Sequence, residues 1–317
     1  MIFRETGEQC IKVLLALPVA VLVVACQNRQ DDRHMQPASV AKESPLPAHP
    51  SFQAMNTAAP ETAPPPGWPP TPLHVAPGSI PRPPITAANP RDGAKMVYIP
   101  PGPFFMGDAD QDDNPLRTVK LGGFWIYKND VTVAQYRKFC QGTGRVMPEE
   151  PEWGWKDDHP MVNVSWADAK AYCDWAGAAL PTEEQWEKAA RGTDARKYPW
   201  GNKWDPAKLW SSTPVTRTST APVGSDAAGA SPYGCLDMEG NVRQWCKDWC
   251  LNEDDDSQQA PNANPSAPPI AQYGVLKGGS WGNDLEKVFR CSSRYDIFLP
   301  THRDVYIGFR AARGDSS

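Results

Sequence analysis

Three stretches of the chain repeat apolar residues at helical spacing, and each opens on the same local signal. Tyr136, Phe139 and Cys140 follow Thr132-Val-Ala-Gln135. Ala169, Tyr172, Cys173 and Ala176 follow Ser165-Trp-Ala-Asp168, and Trp186, Ala189 and Ala190 follow Thr182-Glu-Glu-Gln185. In each box the hydroxyl takes an orphan backbone N–H and the later side chain reaches back to the first residue. The spacing predicts three helices, each with one apolar face. Elsewhere the patterning is brief. "MVYIPPGPFFMGD" alternates and then turns, and "YPWGN", "GCLDMEGNVRQW" and "VLKGGSW" are tight-turn sequences interrupted by large aromatics. The class predicted is α+β, with few short strands, about three helices and much irregular structure. Most of the thirteen tryptophans, Trp166, Trp186, Trp200 and Trp245 among them, are assigned to the core. There they supply buried area that short strands do not.

The apolar pattern at the start of the chain is of another kind. Arg4 and Lys12 flank the beginning of a run from Val13 to Ala25 that ends in "VVAC". The run is too short to span a bilayer core of about 30 Å as a helix, and has the length of a signal-peptide core. The end of the run resembles a bacterial lipoprotein box, with Val23, Val24 and Ala25 before a lipidated Cys26. By the rule for such boxes, Gln27 directs the protein to the outer membrane of a Gram-negative cell. An ordinary secretory signal with an incidental Cys26 is the alternative. From Asn28 to about Asn89 the chain is rich in Pro, Ala and Thr, with neither helical nor alternating pattern. Such composition buries too little apolar surface to offset its ordering entropy, and proline stiffens it into a spacer. The organisation expected is a signal peptide at 1–25, a Pro-rich disordered tether at 26–90 and one globular domain at 91–314. The head would be exported and lipid-anchored in the envelope, in the periplasm or at the cell surface.

Composition adds two exclusions. A net charge of −5 with no basic run argues against a nucleic-acid partner, whose binding rests on phosphate neutralisation. The prolines, thirty-five in all, fall about half between Pro37 and Pro103, which speaks for a tail plus a domain rather than two domains.

Across the head, "MVYIPPGPFFMGD", "VTVAQYRKF", "HPMVNVSWADAKAYCDWAGAALPTEEQWEKAAR", "YPWGN", "GNVRQW", "GGSW" and "IGFRAAR" stand in one order. In that order they resemble the formylglycine-generating enzyme, or sulfatase-modifying factor, family. The resemblance implies an irregular α+β fold related to C-type lectins. It also implies an oxidase that uses two cysteines shortly after the Gly-Gly-Ser-aromatic motif to bind copper and convert a substrate cysteine to formylglycine. Soft thiolates suit that metal. Here Gly278-Gly279-Ser280-Trp281 is followed by "GNDLEKVFR", which holds no cysteine, and Cys291 aligns with a structural cysteine of the family. Copper is therefore not expected, no catalytic residue is assigned, and the chain leans away from being an enzyme. Related non-haem iron enzymes need a histidine cluster. Of the five histidines only His159 and His302 lie in the head, and His159 is assigned a structural role at a loop-to-helix entry. Periplasmic relatives that modify tyrosine-containing peptides also lack the cysteine pair, so a peptide-modifying enzyme stays open as the alternative.

Two further signals concern ligands. Cys246 and Cys250 in "RQWCKDWC" have neither redox nor zinc spacing. In an exported protein the default is a disulfide, with each other or with Cys140, Cys173, Cys235 or Cys291, while buried free thiols remain open. Calcium is a family ligand near "GNVWEW". Here Asn241 is kept, Gln244 replaces the carboxylate, and Lys208 stands where an asparagine is common elsewhere. Losing an anionic ligand weakens a hard-cation site, which leaves calcium at Asn241 and Gln244 a weak candidate.

The last part of the chain holds the main candidate. Between Gly-Gly-Ser-Trp and Ile307-Gly308-Phe309-Arg310, the posts Arg290, Arg294, Pro300 and Arg303 separate Tyr295, Asp296, Ile297 and Phe298 from Thr301, His302, Asp304, Val305 and Tyr306. Aromatic anchors among adaptable polar groups are the composition of a paratope. The layout resembles the variable region of lectin-fold proteins diversified by retroelements, in which Lys, Glu, Gln, Met and Trp do not arise at mutated codons. None of those five occurs from Val288 to Arg313, although together they make up about a fifth of average protein. Trp281, Asn283 and Asp284 are added to the same surface. The expectation is a membrane-tethered lectin-fold receptor for a protein or glycan ligand. Its alternatives are an exported oxidase or peptide-modifying enzyme with a non-standard site, an ordinary non-diversified family member, and a structural envelope lipoprotein.

Overall fold

The computed structural model describes residues 67–72, 75–110, 114–250, 273–294 and 296–314; the signal peptide, Cys26, most of the tether and Tyr295 lie outside them, as do the side chains of Cys250, Asp296 and Ile297. All three capping boxes close. Helix α1 (Val133–Thr143) is capped by Thr132 and Gln135, α2 (Trp166–Trp175) by Ser165 and Asp168, and α3 (Glu183–Arg191) by Thr182 and Gln185. The left-handed Gly144, at φ 72°, stops α1, because glycine meets no Cβ penalty there.

Strands before the helices are β1 (Thr86–Ala88), β2 (Lys95–Ile99), β3 (Gly102–Met106), β4 (Arg117–Leu121) and β5 (Phe124–Tyr127). After the helices come β6 (Arg243–Cys250), β7 (Tyr273–Lys277), β8 (Asp296–Phe298), β9 (Ile307–Gly308) and β10 (Ala312–Gly314). They form a sheet in the order β1-β2-β5-β10, a separate β3-β4 pair, and a second sheet in the order β8-β7-β6-β9. Pairing is antiparallel except between β6 and β9. β1 lies within the stretch assigned to the tether, so paired structure already begins at Thr86, ahead of the boundary drawn at 91.

Period-two alternation explains why "KMVYI" and "FWIY" read as continuous apolar runs. Met96, Tyr98, Trp125 and Tyr127 face one core, shared with Tyr136, Phe139, Tyr172 and Cys173 of α1 and α2. Val97, Ile99, Phe124 and Ile126 face another, shared with Trp186, Ala189 and Ala190 of α3. A strand covered on both faces has no reason to alternate with polar residues. Trp166, Trp186 and Trp245 are buried as expected. Trp200 is only half-buried and stacks on Tyr198 at 5.3 Å.

The expectation of a disulfide is corrected for five cysteines. Cys140, Cys173, Cys235, Cys246 and Cys291 are free and buried, divided between the two cores. They act there as small apolar residues. Burial pushes the thiols of Cys173, Cys235, Cys246 and Cys291 up, which keeps them neutral and unreactive.

The Gly-Gly-Ser-Trp turn is a backbone requirement. Gly278 has φ 95°, and a Cβ on it would stand 2.6 Å from the Met238 carbonyl oxygen. Gly278→Ala is expected to cost about 1–3 kcal/mol from the backbone conformation alone, with the clash in addition. A denaturant midpoint unchanged from wild type would contradict this.

Candidate recognition surface

Trp281 leaves the glycine turn and becomes the centre of the surface. Its backbone N–H donates to Asn241 O at 2.9 Å, and its indole Nε1 donates to Val305 O at 3.1 Å. The ring lies 4.4 Å from Tyr306 and 5.6 Å, edge to face, from Trp153. Trp281 is itself only 7 % exposed, whereas Trp153 and Tyr306 are half-buried. Trp281 thus fixes the geometry of the other two, and they present the accessible aromatic area. Trp153 was not among the residues expected at the site. It lies far away in sequence, in a loop pinned by Asn163 Nδ2 donating to Glu149 O and by Trp155 N donating to Glu150 Oε1. Its one sequence signal is "EWGW", large aromatics in a polar stretch with no periodicity to bury them.

The remaining expected residues divide by role. Asn283 is used internally, its Oδ1 accepting from Ser280 N and Oγ at 2.9 and 3.0 Å. Asp284 is exposed, with its carbonyl accepting from Thr213 Oγ1. Thr301 is exposed, and His302 stacks on Phe298 at 4.5 Å with its Nε2 3.5 Å from Asp304 Oδ2. Phe298 also packs against the first core, so it is partly structural. The Asp304 carboxylate accepts from Tyr306 N, and the Asp304 carbonyl accepts from Asn163 N. Half-buried Val305 contributes its carbonyl to Trp281. Asp296 and Ile297 lie in β8, opposite Leu276 and Val275. The loops from 281 to 306 are therefore held by framework bonds, while the aromatic faces of Trp153 and Tyr306 stay partly open.

Neither metal implied by the resemblance fits the residues present. The Asn241 side chain is closed by Ala221, accepting from its N–H and donating to its carbonyl, both at 3.1 Å. Gln244 Oε1 accepts from Trp186 Nε1 and Arg310 Nε, each at 2.6 Å, and Nε2 donates to Asp237 O. Both acceptor positions of Gln244 Oε1 are thus filled, Asn241 Oδ1 is already engaged with one donor, and neither side chain carries the charge a hard cation wants. For copper, the 282–290 segment offers no thiol, and Cys291 is fully buried. His159 is buried with Nδ1 2.8 Å from Thr220 Oγ1, and burial lowers its pKa; it holds a loop.

Behind the Gly-Gly-Ser-Trp turn lies a charged network that the helical periodicity did not show. α3 buries Glu183, Glu187, Lys188 and Arg191 together with its apolar face. Arg294 binds both Glu183 oxygens at 2.6 Å, Lys277 reaches Glu183 and Glu187 at 3.5 and 3.3 Å, and Arg191 meets Glu187 at 2.8 Å. Burial pushes Glu183 up, but Lys277 and Arg294 overcome it and hold the carboxyl below its usual range. Lys188 Nζ donates to Pro100 O and Gly102 O, and burial lowers its pKa to about 8.

Glu239 is the odd member of the network. It is buried, neither oxygen has an N–H or O–H donor, and the weakly donating Cys291 thiol is the side chain that reaches it. Burial pushes its carboxyl well up, against the pull of Lys277. A carboxyl with a raised folded pKa stays protonated while the unfolded chain ionises, so stability falls as pH rises above the unfolded value of about 4.3. Glu239→Gln removes that dependence. Its advantage over wild type is expected to be negligible near pH 4 and to grow by at most about 1.4 kcal/mol per pH unit above pH 5. Parallel curves of unfolding free energy against pH for the two proteins would refute it.

The family model for the sulfatase-modifying factor enzyme 1-like domain matches residues 83–314. The chain belongs to this family. A formylglycine-generating enzyme of Thermomonospora curvata is 35% identical, over 72% of this chain and 96% of its own. Among solved structures, PvdO from Pseudomonas aeruginosa superposes with a TM-score of 0.60 at 25% identity, covering 76% of this chain and 99% of that one. Treponema denticola variable protein 1 shares the fold, with a TM-score of 0.56 at 20% identity over 73% of this chain and 98% of its own. The sulfatase-modifying factor fold and its irregular α+β class are thereby established for this head, and its described residues hold three α-helices and short strands.

Proposed function

We propose that this sulfatase-modifying factor domain works as a ligand-binding module rather than as a cysteine–copper oxidase, tethered to the cell envelope through a lipidated Cys26. The observation that carries the reading is the ring cluster of Trp153, Trp281 and Tyr306. It is locked at Trp281 by hydrogen bonds to the Asn241 and Val305 carbonyls, and the segment that follows, 282–290, holds none of the cysteines that the resemblance to the family's oxidases would lead one to expect there. Rigid aromatic anchors give contact area at little entropic cost, and their ligand is a protein or a glycan. Asp284, Thr301 and His302 supply adaptable polar groups around them. Among the described residues no helix is long and apolar enough to cross a membrane.

The test is a binding screen of the purified protein against glycans and envelope proteins, alongside metal analysis and incubation with a cysteine-containing peptide. Saturable binding without aldehyde formation supports the module. Stoichiometric copper or iron together with an aldehyde on the peptide would return the domain to oxidase chemistry, which the 35% identity to a formylglycine-generating enzyme keeps as the second reading. Sequencing the flanking DNA separates a diversified surface from a fixed one. A nearby near-copy of codons 278–313 carrying adenines at the variable positions marks diversification, and its absence marks an ordinary family member.

A further inference from the structure

Away from this surface, the turn between β5 and α1 opens onto a cavity of about 200 Å³ lined by Asn129, Asp130, Thr132, Gln135 and Val223, with Lys95 at its rim. Two oxygens there have no partner. Asp130 is 2 % exposed, and its Oδ1 takes Arg310 Nη2 at 3.1 Å while Oδ2 takes nothing. Asn129 Oδ1 is buried and likewise unpaired. Buried polar atoms in folded proteins are as a rule paired, and of those left unpaired among the described residues these two line one cavity.

Charge points the same way. Arg310 is the cation beside Asp130, and it also serves Asp237, whose backbone carbonyl accepts from the same Nη2. The Asp237 carboxylate takes Gly224 N at 2.6 Å, and a Cβ on Gly224 would stand 3.4 Å from Asn129 Oδ1, so Asn129 and Asp237 flank one glycine. Asp226 acts on Asp237 in turn and has a buried, unpaired Oδ2 of its own. Burial and the neighbouring Asp237 push the Asp130 carboxyl up against the pull of Arg310. Asp130 and Asp237 thus share one guanidinium, while Asp226 has Arg217 as its cation. Lys95 does not redress this, because its side chain is exposed.

We propose that this cavity holds a hard divalent cation of the calcium class, with Asp130 Oδ2 and Asn129 Oδ1 as protein ligands and water completing the shell. The donors are all oxygen, a carboxylate and an amide carbonyl, which suits such an ion. The cavity is roomier than a bare ion needs, which leaves space for the waters. Its one aromatic lining residue is Tyr127, whose hydroxyl is taken by Asp92, which falls short of the aromatic cage that holds an organic ammonium. Among the described residues no group of three or more His, Cys, Asp or Glu converges on a point, so the site is weak and hydrated rather than a zinc-type cage.

The test uses the purified full-length protein, stripped with chelator and then given calcium chloride, against sodium chloride of equal ionic strength. At about 10 mM calcium, some tenfold above the dissociation constants of weak extracellular sites, the melting temperature is expected to rise by about 4 °C. Asn129→Ala removes an atom with no protein partner and is expected to fold, with calcium affinity at least tenfold lower. Asp130→Asn keeps the Arg310 contact and is expected to lose the shift as well. An unchanged melting temperature in wild type overturns the proposal. So does a full shift in Asn129→Ala, which would place the ion elsewhere, and so does an equal shift with methylammonium chloride.

Discussion

Arg310→Met is expected to prevent accumulation of the folded head. The guanidinium is fully buried and donates to Gln244 Oε1, to the carbonyls of Tyr127, Lys128, Leu236 and Asp237, and to Asp130 Oδ1, at 2.6 to 3.1 Å. These acceptors come from the end of β5, the turn before β6, and β6 itself, so one side chain joins the two sheets. Methionine fills much of the volume and satisfies none of the acceptors. Each buried carbonyl left alone costs about 1–3 kcal/mol, and an uncompensated buried carboxylate about 3–5 kcal/mol. Even with relaxation and water entry the loss approaches a whole domain's stability of about 5–15 kcal/mol. Arg310→Lys is expected to be intermediate, since an ammonium has three donors and no planar fork. Denaturant unfolding checks this, and an Arg310→Met protein within 1 kcal/mol of wild type would sink the assignment.

The Arg310 contacts are long-range, and long-range contacts are what the local pattern of residues does not disclose. The helices were legible because their signal is local: Thr132, Ser165 and Thr182 each close a box within four residues. The parts set by distant contacts were not. "EEQWEKAAR" reads as an amphipathic surface helix, yet β3, β4, β6 and β7 approach α3 and the charges on its polar face become interior ion pairs. Pairing of β5 with β2 and β10 turns Arg310 into a junction, a role that nothing in "IGFRAAR" itself discloses. The cysteines misled for a similar reason. An exported compartment favours disulfides, but a disulfide also needs a geometric neighbour, and the two cores divide the thiols between them. At the surface, Tyr306 and Trp281 were legible as loop aromatics beside a glycine turn. Trp153 was not, because the contact joining it to Trp281 reaches across α2, α3, β6 and β7 in sequence.

Replacing Trp153 and Tyr306 together by Ala is expected to abolish ligand binding and leave the fold in place. Both rings are half-buried and sit at the edge of the aromatic cluster rather than in either core. Trp281, which bonds to Asn241 and Val305, stays to hold the loop. Interface hot spots are enriched in Trp and Tyr at about 2 kcal/mol or more each, so losing two corresponds to a fall in affinity approaching about a thousandfold. Phe298→Ala is the instructive contrast. Its ring packs on the first core as well as on His302, so that variant should lose stability along with any binding, and weaker binding there would be ambiguous. His302→Ala, by comparison, removes only the outer member of the stack and tests the polar half of the surface. Titration of ligand from the screen against the three variants, with melting temperatures measured in parallel, separates these cases. Undiminished binding by a folded Trp153→Ala/Tyr306→Ala protein would move the recognition site off this face altogether.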